Sequence, residues 1–455
     1  MYIQAIDLEN FRGFKEAQVA FNKDLNIFIG ENASGKTSLL RSISQTIINL
    51  ISVNSKFEIP NSLRLSESDI NREGKNLKIE IGIEVPDGNI NELKNYHLIF
   101  KKGKFPYDVE TYVQYEISKS KKVLLNIYEQ YFLETTFNKG RYLFPMFKIY
   151  NSNRSFSYKS TQETNVIFSN SKLEAWYNFL NNNLSFSKLL EWFFENETKE
   201  LRLQRDNNDF SIESPVLKPI RIALNEAFKI LQNKDYLVKS DQITREGSNK
   251  LIPTLVIENK NDKNDREILD NKSDGEKAII TLIADIAYNL AIANSNNENF
   301  MQGTGVVMID EIEAHLHPAW QRKVVGLLHD LFPNIQFFIT THSPQVIASV
   351  NSDKVFLCDN FNINKINLST KGADTNSLLK YVFNATDRPL EFVKLIEAFD
   401  KAMEENQDEE ILQKIIDQIK EKKEEDEGQD IDLLVDELGT QLEAYKFDRE
   451  HEMDK

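Results

Sequence analysis

A single cysteine, Cys358, stands among 455 residues, so no intrachain disulfide and no multi-cysteine zinc site can be built within one chain. A reducing, cytoplasmic setting is the expectation. Glycine and proline are scarce, at 16 and 11 residues, which excludes collagen-like and low-complexity classes. Long apolar runs are missing too. The most apolar stretch, Ala278 to Ala293, carries Thr281, Asp285 and Asn289 at four-residue steps, the pattern of a helix with one polar stripe, too short and too polar for a bilayer. Tyr2, Gln4, Asp7 and Glu9 interrupt the first apolar residues, so no cleavable leader and no membrane partner are expected.

What is present describes a large globular chain. Apolar residues make up 40% and aromatics 10% of the sequence, enough for a sizeable core, and the length gives a prior of about three domains. The net charge of −16 is unevenly spread, because residues 401–455 hold 20 acidic and 8 basic side chains. The remaining body is close to neutral, so the low overall charge does not exclude contact with DNA.

Chemistry first appears near the N-terminus. An extended run (residues 2–9), a turn at Asn10-Phe11-Arg12-Gly13-Phe14, a second run from Glu16 to Phe21 and a third from Leu25 to Ile29 lead into Gly30-Glu31-Asn32-Ala33-Ser34-Gly35-Lys36-Thr37. This is the G-x-x-x-x-G-K-[ST] phosphate loop. Its glycines let consecutive backbone N–H groups face one phosphate while the following helix directs its positive end there. Lys36 is expected on the terminal phosphates and the Thr37 hydroxyl on Mg²⁺, with Gly30, Asn32, Ala33, Ser34, Gly35 and Ser38 completing the ATP cradle.

Residues 75–135 read as an antiparallel β-region, with strands at Leu77–Ile81 and Thr111–Ile117. Lys101, Lys102 and Lys104 surround Gly103 at an expected hairpin tip, and Lys119, Lys121 and Lys122 form another basic cluster; both are solvated turns first and nucleic-acid grips second. From Lys172 to about Leu231 the periodicity turns helical, with Trp176, Leu189, Leu190 and Phe193 as core candidates and a further helix from Pro215.

A second cluster of motifs follows. Gly305-Val306-Val307-Met308-Ile309 is an apolar strand ending in Asp310-Glu311, a Walker B arrangement in which Asp310 holds Mg²⁺ and Glu311 acts as general base. About 30 residues on, the strand Ile335–Ile339 ends in Thr340-Thr341-His342-Ser343-Pro344, where His342 is placed to sense the γ-phosphate. Between the two nucleotide motifs lies Lys272-Ser273-Asp274-Gly275-Glu276-Lys277 at the start of the Ala278–Ala293 helix, a second anion-binding helix start. One nucleotide seldom needs two such starts, which suggests a head-to-tail dimer.

In this order the motifs resemble the ABC-type ATPases of the RecF/SMC/OLD group. The resemblance implies an α/β P-loop NTPase of the ABC/SMC-head type, with a mixed sheet, an antiparallel β-subdomain, a helical insertion and C-terminal helices. It further implies that Arg12 and Asn32 contact phosphates and that Ser273, Gly275 and Glu276 act in trans on the partner's nucleotide. Lys272 and Asp274 depart from the usual Leu-Ser-Gly-Gly signature. Asn151 or Arg154 is the candidate for a glutamine-loop position. Phe144-Pro145 to Arg154, Leu190 to Glu197 and Ile220 to Leu224 are similar to the PtuA ATPases of Septu and retron anti-phage systems. That likeness implies a switch and scaffold that controls an HNH nuclease, PtuB, supplied in trans, with DNA and a retron reverse transcriptase and its RNA as further partners. The alternative is a repair or recombination ATPase acting on DNA without a toxic effector.

The expected organisation is an N-terminal ATPase lobe over 1–160, a helical insertion over 161–250, a C-terminal ATPase lobe over 251–370 and an acidic helical tail over 371–455. In the tail, Ile411, Ile415, Ile416 and Ile419 followed by Leu433, Leu434, Leu438 and Leu442 mark amphipathic helices that pack on a partner or on one another. Three weaker patterns are set aside. His315, His317, His329 and His342 make a poor metal cluster without cysteine; Arg322 and His329 share ribonuclease spacing inside one expected helix; and Pro86-Asp87 lies too near Glu92-Leu93-Lys94 for nuclease strands.

Overall fold

The chain opens with β1 (Tyr2–Phe11) and β2 (Phe14–Ala20), which pair antiparallel with Ile6 opposite Val19 and Phe11 opposite Phe14. On the other side of β1 lies β4 (Asn76–Pro86), followed by β5 (Leu93–Gly103), giving the sheet order β2-β1-β4-β5. In β4, Leu77, Ile79, Ile81 and Ile83 all point into the core, so this period-2 pattern sustains a long ladder. That ladder corrects one expectation: Lys101 and Lys102 lie within β5 opposite Lys78 and Leu77, not at a hairpin tip. In the computed structural model the described residues are 1–52, 64–86, 93–103, 144–152, 175–176, 186–244, 251–294, 300–383, 390–405, 407–422 and 428–453. Lys104, Lys119, Lys121, Lys122, Thr111–Ile117 and Arg154 fall outside them.

The central sheet is built from β3 (Leu25–Ile29), β6 (Met146–Tyr150), β10 (Gly305–Ile309), β11 (Ile335–Thr340), β12 (Val355–Asp359) and β13 (Asn362–Lys365), in the order β13-β12-β3-β11-β10-β6. All neighbours run parallel except the edge pair β12–β13. Strands β3, β10 and β11 are buried at every position, as strands covered on both faces must be. Strand β12 does not close the sheet, because a tight turn at Asn360-Phe361 returns the chain as β13. Both turn residues have positive φ, 46° and 62°, which a two-residue hairpin of the I′ type requires. A buried amide joins the two sheets: the Gln336 side chain accepts from Ile3 N–H at 2.8 Å and donates to the Ile3 and Asn22 carbonyls at 2.8 and 2.7 Å.

Helices α1 (Lys36–Ser52), α2 (Phe186–Asn207), α3 (Leu217–Gln232), α4 (Asp274–Ala293), α5 (Pro318–Leu331) and the single turn α6 (Pro344–Ile347) accompany these sheets, and a third sheet, antiparallel throughout, comprises β7 (Tyr236–Thr244), β8 (Leu251–Asn259) and β9 (Asp262–Ile268). The polar stripe of α4 faces inward. Asp285 Oδ2 meets Lys148 Nζ at 3.2 Å and accepts from the Tyr150 hydroxyl at 2.7 Å, and Oδ1 accepts from Asn289 at 2.8 Å. An ion pair this deeply buried is tolerable only because both charges are compensated, and it ties α4 to β6, next to the Asp310 strand. Trp176, Leu189, Leu190 and Phe193 are core residues, and the Trp176 indole donates to the Pro145 carbonyl at 2.7 Å.

Two compact units divide the chain, Met1–Thr375 and Asn376–Lys455. The expected lobes and insertion over 1–370 thus belong to one unit. The second unit contains nearly all of α7 (Thr375–Tyr381), together with α8 (Leu390–Glu404), α9 (Glu409–Glu421) and α10 (Gly428–Met453). Leu412, Ile416, Ile419, Leu434, Leu438 and Leu442 pack with Phe392 and Phe399 in a core of their own. Of the two outcomes open to the tail's apolar stripes, self-packing accounts for these positions, whereas Ile411 and Leu433 stay 43% and 66% exposed.

Candidate functional site

The phosphate loop joins β3 to α1 at the C-terminal edge of the parallel sheet. Gly30 and Gly35 have φ of 146° and 111°, conformations that suit glycine, and Ala33 is also held at positive φ, 64°. Lys36 is buried and turns back on the loop. Its ammonium donates to the carbonyls of Gly30 at 2.9 Å and Glu31 at 2.7 Å and reaches Ser34 Oγ at 3.4 Å. Burial pulls the Lys36 pKa down, against the negative field of Asp310, Glu311 and Glu313. An ammonium held on weak carbonyl acceptors, beside backbone shaped by two glycines, is ready to exchange them for phosphate oxygens.

The Walker B carboxylate comes from β10 and its support from β11. Asp310 is buried, and its two oxygens lie 3.3 and 3.2 Å from the Thr37 hydroxyl. The Thr340 hydroxyl donates to Asp310 Oδ1 at 2.6 Å and accepts from the Glu311 N–H at 2.8 Å, so one side chain fixes both consecutive acidic residues. Backbone bonds from Asp310 N–H to Tyr150 O and from Thr341 N–H to Phe28 O pin the strand ends together. The Thr37 hydroxyl and the Asp310 carboxylate form an all-oxygen pair that fits Mg²⁺, a hard cation that keeps several waters and takes few protein ligands.

Glu311 leaves the strand with φ of 50°, a left-handed conformation that is costly for a residue with a Cβ. The chain then folds back so that Glu313 Oε1 accepts from the His342 N–H at 2.5 Å. Among the described residues, Glu313 Oε2 is buried without a hydrogen-bond partner. The His342 pKa is lowered, first by burial and next by the Lys36 charge, which keeps the imidazole neutral near pH 7. Asp310, Glu311, His342, Lys36 and Thr37 are therefore brought to one sheet edge, Asp310 by direct contact with Thr37 and His342 by following the end of β11 with its N–H bound to Glu313.

Arg12 stands differently. Its guanidinium donates to Asp69 Oδ1 at 2.9 Å, and Arg41 of α1 holds the same carboxylate through Nε at 3.0 Å and Nη2 at 3.1 Å. Asp69 is fully buried; burial alone would raise its pKa, but the Arg41, Ser66 and Arg12 hydrogen bonds outweigh that and hold it at about 2. Asp69 and Arg41 did not stand out in the sequence. Thr340 was visible as the polar end of an apolar strand, whereas Asp69 carried only the faint signal of a Ser-x-x-Asp turn.

The signature segment opens α4. Ser273 Oγ accepts from the Glu276 N–H at 3.3 Å, and Glu276 Oε2 accepts from the Ser273 N–H at 3.0 Å and hydroxyl at 2.8 Å, a complete capping box. Burial opposes ionisation of Glu276, yet Ser273 and Lys272 keep its pKa low. A Cβ at Gly275 would come within 2.2 Å of the His315 carbonyl, so the signature helix rests directly on the loop that follows Glu311. Asn32 and Ser273 are exposed. His317 caps α5, its Nδ1 accepting from Ala319 N–H at 3.2 Å, and Arg322 donates to Gln345 at 2.5 Å, so neither enters a separate site.

Residues 25–348, well over half of the chain, match the family model described as "AAA domain, putative AbiEii toxin, Type IV TA system". The chain belongs to this AAA ATPase family. Among its relatives is the "Retron Ec83 probable ATPase" of Escherichia coli, 27% identical, with 87% of this chain and 78% of that protein covered. The Septu protein PtuA of Bacillus thuringiensis is 21% identical, covering 91% of this chain and 92% of PtuA. Among solved structures, an Smc head bound to the C-winged helix domain of ScpA is 15% identical with a TM-score of 0.42, covering 81% of this chain and 98% of that one. The phosphate loop, the Asp310-Glu311 pair and His342 all lie in the segment that the family model matches.

Proposed function

We propose that this chain is an ATP-binding and ATP-hydrolysing switch of a cytoplasmic anti-phage defence complex, controlling an HNH nuclease of the PtuB kind supplied in trans. The observation that carries the reading is the meeting of Lys36, Thr37, Asp310, Glu311 and His342 at one edge of the parallel sheet, in a chain related along most of its length to retron and Septu ATPases. Bound Mg-ATP supplies an electrophilic γ-phosphoryl group and a cation that neutralises charge between the phosphates. Lys36 transfers its ammonium from the loop carbonyls to phosphate oxygens. Thr37 and Asp310 hold the metal side, with Thr340 keeping Asp310 aligned. Glu311 accepts the proton of the attacking water at its carboxylate, and neutral His342 donates a hydrogen bond where charge develops on the transferred group. Arg12, Asn32, Ala33, Ser34 and Ser38 line the phosphates.

A second copy of the chain closes the site in a head-to-tail dimer, presenting Ser273 and Gly275, with Glu276 fixing the Ser273 backbone. Because Gly275 rests on the His315 carbonyl, the segment acting on a partner's nucleotide touches the loop that leaves this chain's own Glu311. DNA, or a retron reverse transcriptase with its RNA, would join through the same assembly. Phosphate release by the purified chain tests the enzyme reading: activity that disappears in Lys36→Ala supports it, and activity equal in the two refutes it. Mass spectrometry of proteins that co-purify with a tagged copy expressed from its own operon tests the partner. Stoichiometric recovery of an HNH nuclease supports the defence switch; recovery of the chain alone or with repair factors favours a DNA-repair ATPase.

A further inference from the structure

The β12–β13 hairpin belongs to none of the nucleotide motifs, yet it moulds the phosphate loop. A Cβ at Gly30 would lie 2.1 Å from the Cys358 carbonyl, and the Phe361 N–H donates to the Ser34 carbonyl at 3.1 Å. The Phe361 ring is the shared neighbour of two glycines in separate motifs. Added Cβ atoms would come within 2.0 Å of it at Gly13 and 2.9 Å at Gly35. Phe14 completes the cluster edge-on, with ring centroids 5.4 Å apart. Phe361 is half-buried and has φ of 62°, strain that a bulky side chain tolerates only where the surroundings impose it.

The sheet order says which end of a nucleotide this ring would meet. Strand β3, which carries the phosphate loop, lies between β11 and β12. Asp310, Glu311 and His342 all come from the β11–β10 side, so the terminal phosphate belongs there. The nucleoside must leave the loop on the opposite side, where β12 runs parallel to β3 and delivers the Asn360-Phe361 turn to the same sheet edge. An aromatic face beside the loop, with a second ring fixing its orientation, is a platform for a planar base.

We infer that Phe361, braced by Phe14 and given room by Gly13 and Gly35, stacks on the nucleotide base and makes the site prefer a nucleoside triphosphate over a bare polyphosphate. This rests on the ATP-switch reading. It requires the side chain to contribute to the base and not to the phosphates.

Calorimetric titration of the full-length chain with Mg-ATP and, separately, with Mg-tripolyphosphate tests it. Phe361→Ala is expected to weaken Mg-ATP about tenfold, the scale of one lost base–aromatic stack, and to leave tripolyphosphate affinity unchanged. Equal losses for both ligands would mean that the ring only shapes the loop, and overturn the inference, as would no loss for either. Phe361→Trp guards against a folding defect: ATP affinity should be retained, and a tryptophan quench absent from the parent chain should appear with ATP but not with tripolyphosphate. No added quench with ATP overturns the inference. A parent chain that binds neither ligand sinks the ATP-switch reading itself, whereas parent binding with an unmoved Phe361→Ala sinks the base platform alone.

Discussion

The nucleotide site and the helical unit from Asn376 onward hold their backbones in opposite ways. Arg12, Ala33, Glu311, His315, Asn360 and Phe361, on the loops that frame the site, and Asn10 at the end of β1 have positive φ without being glycine. Among the described residues of the helical unit there is no such position. The site therefore stores strain, at a cost of about 1–3 kcal/mol per residue in general, and rests on strands buried at every position. The helical unit stores none, and its stability comes from regular helices closing over one apolar seam. Chemistry that must aim several side chains at one point needs backbone shapes that a regular element does not provide.

The most drastic way to probe the contrast is at the site itself. Glu311→Gln, which keeps the side chain's shape and removes its basicity, is expected to slow phosphate release by about 10²- to 10⁴-fold while ATP binding persists; a rate near that of the parent would remove Glu311 from the general-base role. In the helical unit the sharpest test sets neighbours against each other. Leu434→Ala should cost about 2–5 kcal/mol because Leu434 is only 5% exposed, while Leu433→Ala, at 66% exposure, should change little; chemical denaturation followed by circular dichroism measures both.

Asp69 gives an intermediate effect with a pH signature. Its native pKa of about 2 lies below the ordinary carboxylate value, so its contribution of about 2 kcal/mol is present above about pH 4 and is lost as pH falls toward 2. The gap in urea midpoint between the parent and Asp69→Asn should be full at pH 6 and shrink below pH 4; a gap independent of pH would mean that the two arginines are not held by its charge.

The smallest effect separates the regions by sign. Ala33→Gly at φ 64° should stabilise the chain by about 1 kcal/mol, whereas Ala444→Gly in the exposed middle of α10 should destabilise it by about the same amount. Thermal unfolding of the two variants reads this directly. Equal signs would dissolve the distinction between strained site and relaxed helices.

Much of this site is legible in the order of residues alone. The phosphate loop, the Asp310-Glu311 strand end and the Ser273–Glu276 capping box are contiguous, and their chemistry depends on spacings within one turn or one strand end. The buried stripe of α4 is also visible as Thr281, Asp285 and Asn289, but its partners Lys148 and Tyr150 are not, because they arrive on an edge strand more than a hundred residues away. Asp69 and Phe361 escape notice for the same reason. Neither belongs to a motif, and each acquires meaning only when its turn is delivered beside Arg12 or Gly35. The lysines of β5 show the converse: a Lys-Lys-Gly run reads locally as a tip, yet pairing with β4 extends the strand through it.

A phosphate loop, a Walker B strand and a second anion-binding helix start are readable from residue order alone, since glycine spacing, strand-end carboxylates and capping residues act over a few neighbours. Apolar periodicity likewise marks the acidic tail as helical, and α8, α9 and α10 lie there. It took the folded core to set β11 between β3 and β10, the strands that lead to Lys36 and Asp310, so that Thr340 can brace the acidic pair, to gather Arg12 and Arg41 on Asp69, to lay Phe361 of the β12–β13 turn against the loop, and to cover the helical tail's apolar faces with one another. Each of these depends on which distant strand or helix becomes a neighbour, and that choice is made by burying the whole core at once.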